Sequence, residues 1–214
     1  MDSPKTLPVL DAAELRVLGV LMEKSKTTPD YYPMTINSLV AACNQKTSRK
    51  PVVQYDDDIV ATALNTLKRR GLISTATGGS DRSTKYKHNF AIVYPVIPAE
   101  VALICLLMLR GPQTPGELNT NSGRLYEFES IEEVQEVLER LATAETPYLV
   151  QLPRRPGQKE VRYAHLLSGI PDITEDEDEH TAKTPGGLEV RVAKLEQELA
   201  TLREEFDKLM KELT

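Results

Sequence analysis

An internal repeat constrains the fold of this chain more than any other feature. When the sequence is compared with itself at an offset of 86 residues, AELRVLGVLM (13–22) falls on AEVALICLLM (99–108), and both have the apolar spacing of an amphipathic helix. At an offset of 79 residues, TINSL (35–39) falls on TPGEL (114–118), where each threonine is a natural N-cap of a short helix. A third helical pattern recurs 74 residues apart, with an apolar face formed in the two copies by Val60, Leu64, Leu67, Val134, Leu138 and Leu141. Each copy therefore predicts three helices.

Each copy of the repeat ends in two strand patterns joined by a turn. In the first copy LISTAT and TKYKH flank the turn GGSDRS, and in the second YLVQL and EVRYAH flank PRRPGQ. Tyr86 and His88 of the first copy recur as Tyr163 and His165 of the second. Three helices closed by a hairpin, twice over, predict a mainly α chain with small β hairpins, built as tandem winged helix-turn-helix domains.

The chain changes character after the second copy. We predict an N-terminal arm at 1–10, winged-helix domains at 11–95 and 96–169, an acidic flexible linker at 170–187 and an amphipathic heptad helix at 188–214. Complementary charges at the e and g positions of that helix suit a parallel two-stranded coiled coil and a homodimer. An antiparallel pair, or a single helix folded back on the domains, is the alternative. The predicted dimerisation residues are Leu188, Val192, Leu195, Leu199, Leu202, Phe206, Leu209 and Leu213.

The net charge of −6 hides an uneven distribution along the chain. Residues 11–98 carry 12 Lys and Arg against 8 Asp and Glu, a balance of +4. Residues 171–214 carry 6 against 13, a balance of −7. The first copy is thus mildly basic, which permits contact with phosphate groups and makes duplex DNA its candidate partner.

The first copy also carries the side chains that a DNA-reading winged helix uses. In such a complex the third helix lies in the major groove and the hairpin lies along the backbone or in a minor groove. Asparagine and arginine can each pair with a base edge through two hydrogen bonds. The loop NQKTSRKP (44–51) adds positive charge before that helix, although a solvated connector is the alternative explanation. The candidate DNA contacts are Lys46, Arg49, Lys50, Thr62, Asn65, Lys68, Arg69, Arg82, Lys85 and Lys87.

Acidic residues oppose this hypothesis in both copies. Asp56, Asp57 and Asp58 open the third helix of the first copy, where they favour the helix N-terminus but would repel a nucleic-acid backbone. The third helix of the second copy is rich in glutamate, which indicates either a protein contact or a solvated acidic face. The alternative function is therefore a winged-helix scaffold that binds proteins and makes no direct contact with nucleic acid.

The sequence predicts no enzyme. The three histidines, His88, His165 and His180, lie one in each segment, and the sequence contains no HExxH, Cys-x-x-Cys or phosphate-loop motif. We predict neither a cofactor nor a metal site, and Cys43 and Cys105 fit reduced, buried thiols. The longest uncharged apolar run, VALICLLML (101–109), is too short to cross a bilayer, so we expect a cytoplasmic protein with no membrane partner.

Three longer stretches carry a family resemblance: YYPMTINSLVAACNQKTSRKPVV, LRGPQTPGELNTNSGRLYEFES and LPRRPGQKEVRYAHLLSG. Together they resemble the bacterial YceH-like proteins, a family of uncharacterised function built from paired winged-helix domains. The resemblance runs from about Leu10 to Gly169. It implies the paired winged-helix fold and similarity to transcriptional regulators, and it transfers no catalytic or binding residue.

Overall fold

The structure of the chain is a computed structural model that describes residues 7–76, 83–154 and 160–170, together with residue 203. The chain divides into two units, Met1–Pro171 and Asp172–Thr214. Both copies of the repeat belong to the first unit. The predicted heptad helix belongs to the second unit, and its eight dimerisation positions lie outside the described residues. In that unit the structure describes Arg203, an exposed helical residue.

The first copy folds as three helices and a hairpin, in the predicted order. Asp11 opens the first helix with a capping box: its Oδ1 accepts a hydrogen bond from the Glu14 backbone N–H at 2.8 Å, and Glu14 Oε2 accepts one from the Asp11 backbone N–H at 2.9 Å. The elements of this copy are α1 (Ala12–Thr27), β1 (Met34–Thr35), α2 (Ile36–Cys43), α3 (Asp57–Arg69), β2 (Ile73–Ala76) and β3 (Lys85–His88).

The second copy repeats this order after a short helix, α4 (Phe90–Val93). Both predicted threonine caps are confirmed. Thr35 Oγ1 accepts a hydrogen bond from the Ser38 backbone N–H, and Thr114 Oγ1 accepts one from the Glu117 backbone N–H. The elements of the second copy are α5 (Pro98–Arg110), α6 (Pro115–Ser122), α7 (Ile131–Thr143), β4 (Leu149–Leu152) and β5 (Arg162–His165).

Two small antiparallel sheets close the two copies. In the first sheet β3 lies between β1 and β2, and in the second β4 pairs with β5. The predicted equivalence of the two histidines is confirmed, because His88 lies opposite Ile73 and His165 lies opposite Leu149. The sequence does not predict β1, since two residues are too few to show a strand pattern. Helices predominate over strands among the described residues, which confirms the coarse fold class.

The two copies share one hydrophobic core, in which α1 packs against α5. Cys105 Sγ lies 3.3 Å from the Gly19 carbonyl oxygen and donates a hydrogen bond to it. Gly19 and Cys105 are equivalent positions of the repeat, 86 residues apart, so the two first helices meet at matching points. A Cβ atom on Gly19 would lie 2.9 Å from Leu109 Cδ2, so any other residue at this position requires Leu109 or the α1–α5 packing to shift. The residues of the two predicted domains therefore bury their apolar faces together.

The two thiols are buried, as the sequence predicts. Cys43 and Cys105 are buried and unpaired, and burial raises the pKa of the Cys43 thiol to about 12 and the pKa of the Cys105 thiol above its usual value. In the described ranges, His, Cys, Asp and Glu side chains do not gather into a group of three or more that could hold a metal ion. None of the described helices combines the length and the apolarity that crossing a bilayer requires.

The two equivalent histidines make stability depend on pH. Burial lowers the pKa of both His88 and His165 from 6.5 to about 4, and the charge of Lys26 adds to the effect at His88. Between pH 6.5 and pH 4 the unfolded chain binds more protons than the folded chain, so stability falls as the pH falls through this window. We expect each histidine to remove about 2 kcal/mol from the free energy of unfolding between about pH 7.5 and about pH 5, as measured by urea unfolding.

The two histidine variants provide the control for this pH dependence. His88→Gln and His165→Gln each remove one titrating group, so each should reduce the change in unfolding free energy between the two pH values. This comparison holds whatever the substitution does to stability at the higher pH. A pH dependence that is the same in wild type and in both variants would assign the effect to other groups.

Candidate functional site

Helix α3 presents one apolar face to the core and one polar face to solvent. Val60, Leu64 and Leu67 are buried in the core that α3 forms with α1 and α2. On the opposite face, Arg69 Nη2 donates a hydrogen bond to Thr66 Oγ1 at 3.2 Å. Four candidate DNA contacts are exposed on this side of the helix: Thr62, Asn65, Lys68 and Arg69. The structure therefore leaves their polar groups open to a ligand.

Three carboxylates crowd the N-terminus of α3. Asp56 caps the helix, because its Oδ1 accepts a hydrogen bond from the Ile59 backbone N–H at 2.9 Å. Asp57 and Asp58 lie in the first turn, and all three aspartates are exposed. They stabilise the helix through its dipole, and they also place negative charge at the end that contacts bases in helix-turn-helix complexes.

Strand β3 carries alternating core and surface side chains. On the core side, His88 donates its backbone N–H to Tyr32 Oη at 2.7 Å, and the two rings meet edge to face. Because successive side chains of a strand point to opposite faces, Lys85 and Lys87 share the other face of the sheet. Lys87 is exposed and Lys85 is half-buried. Arg82, the third candidate of the hairpin, lies outside the described residues.

Arg49 is buried, contrary to its prediction as a DNA contact. The relative exposure of its side chain is 0%. Its Nη1 and Nη2 donate hydrogen bonds to the two carboxylate oxygens of Glu23 at 3.0 and 2.6 Å, and Nη2 also donates to the Ala42 carbonyl and to Gln45 Oε1. A guanidinium enclosed by these partners does not reach a phosphate on the surface. The prediction is therefore corrected: Arg49 ties the loop at 44–51 to α1.

The start and the end of this loop are also held by specific contacts. Asn44 Nδ2 donates to the Tyr55 carbonyl at 2.8 Å, and Asn44 Oδ1 accepts from the Tyr55 backbone N–H at 2.7 Å. The buried Arg16 of α1 donates to the carbonyl oxygens of Cys43 and Pro51, at 3.3 and 2.6 Å. The side chains of Asn44 and Arg16 thus satisfy backbone groups at the two ends of the loop.

The same loop reaches the second copy of the repeat. The Lys50 backbone N–H donates to the Leu109 carbonyl at the end of α5 at 2.8 Å, and the Lys50 side chain is half-buried. Arg110 Nη2 donates to Ser48 Oγ at 2.9 Å. The length of the loop therefore has a structural explanation, since it connects α2 with both α1 and α5.

A cleft of about 360 Å³ lies beside the loop. Its walls come from the end of α1, the loop, the last turns of α5 and the region where α6 ends. Lys46, a candidate DNA contact, lines this cleft and is exposed. The charged residues of the lining are one carboxylate, Glu23, and four cations: Lys24, Lys46, Arg110 and Arg124.

Burial and neighbouring charges shift the pKa values of Glu23 and Arg110. Burial raises the pKa of Glu23, but the hydrogen bonds and charges of Arg49 and Lys24 outweigh it, so the pKa is lowered and the carboxylate stays ionised. Burial lowers the pKa of Arg110, which still remains protonated at neutral pH because a guanidinium holds its proton strongly. The cleft is therefore positively charged at neutral pH.

Known bacterial proteins resemble this chain over almost its whole length. A family model described as a protein of unknown function, DUF480, matches residues 10–158. This chain belongs to the DUF480 family. A UPF0502 protein of Shewanella sp. (strain W3-18-1) is 44% identical to it over 215 residues, which cover 94% of this chain and 97% of the relative. The UPF0502 protein YceH of Escherichia fergusonii is 44% identical over 209 residues, covering 95% and 97%. A UPF0502 protein of Solibacter usitatus is 46% identical over 198 residues, covering 92% and 95%.

These matches confirm the predicted resemblance to YceH-like proteins. The DUF480 match spans every described element from α1 to β4, and it therefore includes the loop, the polar face of α3 and the cleft. The predicted heptad helix at 188–214 lies beyond it. The description of the family names no activity.

The sequence predictions missed the residues that hold the loop. Glu23 and Arg110 lie near the ends of helices, where charged residues usually face solvent, so their position carries no signal of burial. Arg16 does carry a signal, because it is a cation within the otherwise apolar run LRVLGVLM of α1. A charged residue on the core face of a helix indicates a buried charge that has hydrogen-bond partners.

Proposed function

We propose that this DUF480 protein is a cytoplasmic regulator-like protein of the winged-helix type, which binds duplex DNA weakly through the first copy of its repeat. The observation that carries the proposal is the exposed polar face of α3, followed in the chain by a hairpin with lysines on its outer face. The proposed activity is binding, with no catalytic step and no cofactor.

The order of the elements supports this proposal. The first copy has a helix, a short strand, two further helices and a hairpin, and the short strand pairs with the second strand of the hairpin. This order is consistent with the winged-helix arrangement that the proposal requires. In that arrangement α3 is the recognition helix, so Asn65 and Arg69 would contact base edges. Lys68 and Lys87 would contact phosphates. Dimerisation through the heptad helix would bring two such helices to a pair of half-sites.

A second candidate function follows from the acidic surface of α7. Glu132, Glu136 and Glu139 are exposed on this helix, which occupies in the second copy the position that α3 has in the first. Such a face repels DNA and suits a basic protein partner. In this alternative the chain is an interaction scaffold that makes no contact with nucleic acid.

Salt-dependent binding to DNA tests the first proposal. We expect fluorescence anisotropy with labelled genomic fragments to show binding that is lost steeply between about 50 and about 200 mM salt. Lys68→Ala should weaken binding roughly 3- to 10-fold at low salt and reduce the slope of log K against log salt by about 1, because it removes a phosphate contact. Arg69→Ala should also weaken binding roughly 3- to 10-fold, and it should reduce the preference among fragments, because it removes a base contact. Lys26→Ala removes an exposed cation from the end of α1 and is the matched control, which should change none of these quantities.

A variant with the opposite expected sign makes the test specific for α3. Asp57→Asn combined with Asp58→Asn removes two carboxylates from the N-terminus of α3, so it should tighten DNA binding if this helix approaches the duplex. Failure of the wild-type protein to bind any genomic fragment at low salt would refute the DNA proposal. If the wild-type protein retains a stable protein partner and the double variant Glu132→Lys, Glu136→Lys loses it, the result would favour the scaffold function.

A further inference from the structure

The cleft between the loop and α6 has features of a ligand site that DNA binding by α3 does not use. We propose that it binds a small organic phosphate of about the size of a nucleoside monophosphate. Its volume of about 360 Å³ lies in the range of about 300 to 1,000 Å³ that is typical of small-molecule sites. Leu106 and Leu125 give it an apolar wall, which suits the organic part of such a ligand.

Positive charge in the cleft exceeds what the protein itself neutralises. The cleft is lined by the single carboxylate of Glu23 and by four cations: Lys24, Lys46, Arg110 and Arg124. That carboxylate already pairs with Arg49 of the loop and with Lys24. Within the part of the chain that the structure describes, neither Lys46 nor Arg124 has an ion-pair partner. A phosphate monoester carries a charge of about −1.5 to −2 at neutral pH, so it matches this excess better than a monocarboxylate does.

Arg110 is held in position for an anion. Its Nη1 donates to Asn121 Oδ1 at 2.7 Å, and its Nη2 donates to Ser48 Oγ at 2.9 Å. Asn121 is fixed in turn, because its Nδ2 donates to Gln113 Oε1 at 2.9 Å. A guanidinium has five N–H donors, so these two bonds leave others for an oxyanion. The guanidinium is therefore preorganised, which lowers the entropy that binding costs.

A buried hydroxyl group in the lining also lacks a partner. Thr27 lines the cleft, and its Oγ1 is buried without a hydrogen bond among the described residues. Buried polar groups in native proteins are nearly always hydrogen-bonded, so this hydroxyl has the capacity for one further hydrogen bond.

Calorimetric titration of the full chain tests the site. The probes are a nucleoside 5′-monophosphate mixture, inorganic phosphate and succinate, compared at equal ionic strength. We expect the monophosphates to saturate the protein below about 1 mM, and Lys46→Ala with Arg124→Ala to weaken this binding at least about 10-fold. Lys26→Ala with Arg154→Ala removes the same charge from exposed positions outside the lining and should leave the affinity within about 2-fold.

The outcomes separate this proposal from the DNA proposal. The double variant removes Lys46, which is also a candidate DNA contact, so Arg124→Ala alone separates the two proposals. This single variant keeps α3 and every candidate DNA contact, so it should bind DNA as the wild type does while its monophosphate binding is weakened. The absence of monophosphate binding up to about 10 mM, an equal loss in both double variants, or equally tight binding of succinate would each overturn the proposal. A third outcome is that the wild type binds no monophosphate and the Arg124→Ala variant loses DNA binding. That result would show that the cleft binds a phosphate group of DNA instead.

Discussion

Replacing Glu23 with glutamine is expected to lower the free energy of unfolding by about 3 to 5 kcal/mol. The substitution preserves the size of the side chain but removes the negative charge that lies 2.6 Å from Arg49 Nη2. The Arg49 side chain is fully buried, so its charge would then have no counter-ion and little access to water. Lys24, whose Nζ lies 3.2 Å from the same carboxylate, would add repulsion. Equilibrium urea unfolding at neutral pH measures this loss.

Two further variants show whether the buried charge causes the loss. Glu136→Gln makes the same chemical change on the exposed face of α7 and should alter the unfolding free energy by less than about 0.5 kcal/mol. Glu23→Gln combined with Arg49→Met removes both charges, so it should cost clearly less than the sum of the two single substitutions. A loss below about 1 kcal/mol for Glu23→Gln would show that water reaches the Arg49 guanidinium.

This ion pair changes how a binding assay on Arg49 should be interpreted. Arg49→Ala removes a positive charge from the chain, and it also releases the loop at 44–51 that leads toward α3. Weaker DNA binding by that variant would thus resemble the loss of a phosphate contact. Glu23→Gln releases the same loop while removing a negative charge, so weaker DNA binding in both variants would identify the effect as structural.

Replacing Gly19 with valine is expected to destabilise the chain by about 3 kcal/mol, because α1 and α5 would be forced apart. The first carbon of any side chain at this position lies 2.9 Å from Leu109 Cδ2 and 3.1 Å from Leu109 Cγ. Both distances are below van der Waals contact, and Leu109 is itself buried in the core. Valine adds two further methyl groups to the same space. Urea or thermal unfolding of the variant measures the cost.

A second glycine in a helix provides the matched control. Gly116 of α6 has open space around it, since the nearest atom to an added Cβ is Glu160 Oε2 at 3.9 Å. Gly116→Ala should therefore be neutral or stabilising by up to about 1 kcal/mol, the usual helix preference for alanine. Gly19→Ala should be less stable than Gly116→Ala, and Gly19→Ala combined with Leu109→Ala should lose the steric part of the penalty. Equal stability of the two alanine variants would contradict the close approach of α1 and α5.

The elements predicted from short stretches of the sequence are confirmed. Helix periodicity, threonine caps and hairpin patterns depend on residues within a few positions of each other, so the repeat alone indicates three helices and a hairpin in each copy. The equivalent positions of His88 and His165 follow from the same pattern, and the register of the two sheets confirms them. The family resemblance is also confirmed, because long quoted stretches are specific.

The surroundings of the candidate site residues could be predicted only in part, because charge in a sequence does not show burial. Lys68 and Arg69 lie on the exposed side of a helix whose apolar face is periodic, so periodicity predicts their exposure. Arg49 lies in a loop with no periodicity, and its burial depends on Glu23, 26 residues earlier in the chain. Lys46 lies in the same loop but lines a cleft with Arg124 from the second copy. No local pattern connects these residues.

By itself, the sequence determined the repeated order of helices and strands, their caps and the polar face of α3, since these depend on short-range spacing. Only the tertiary structure decided that the two copies share one core, that Arg49 is a buried tie and that four cations line one cleft. These features arise where residues distant in the chain meet, at Gly19 with Cys105 and at Arg49 with Glu23. Packing and desolvation depend on which residues lie close together in space, and the spacing of residues along the chain does not show which residues these are.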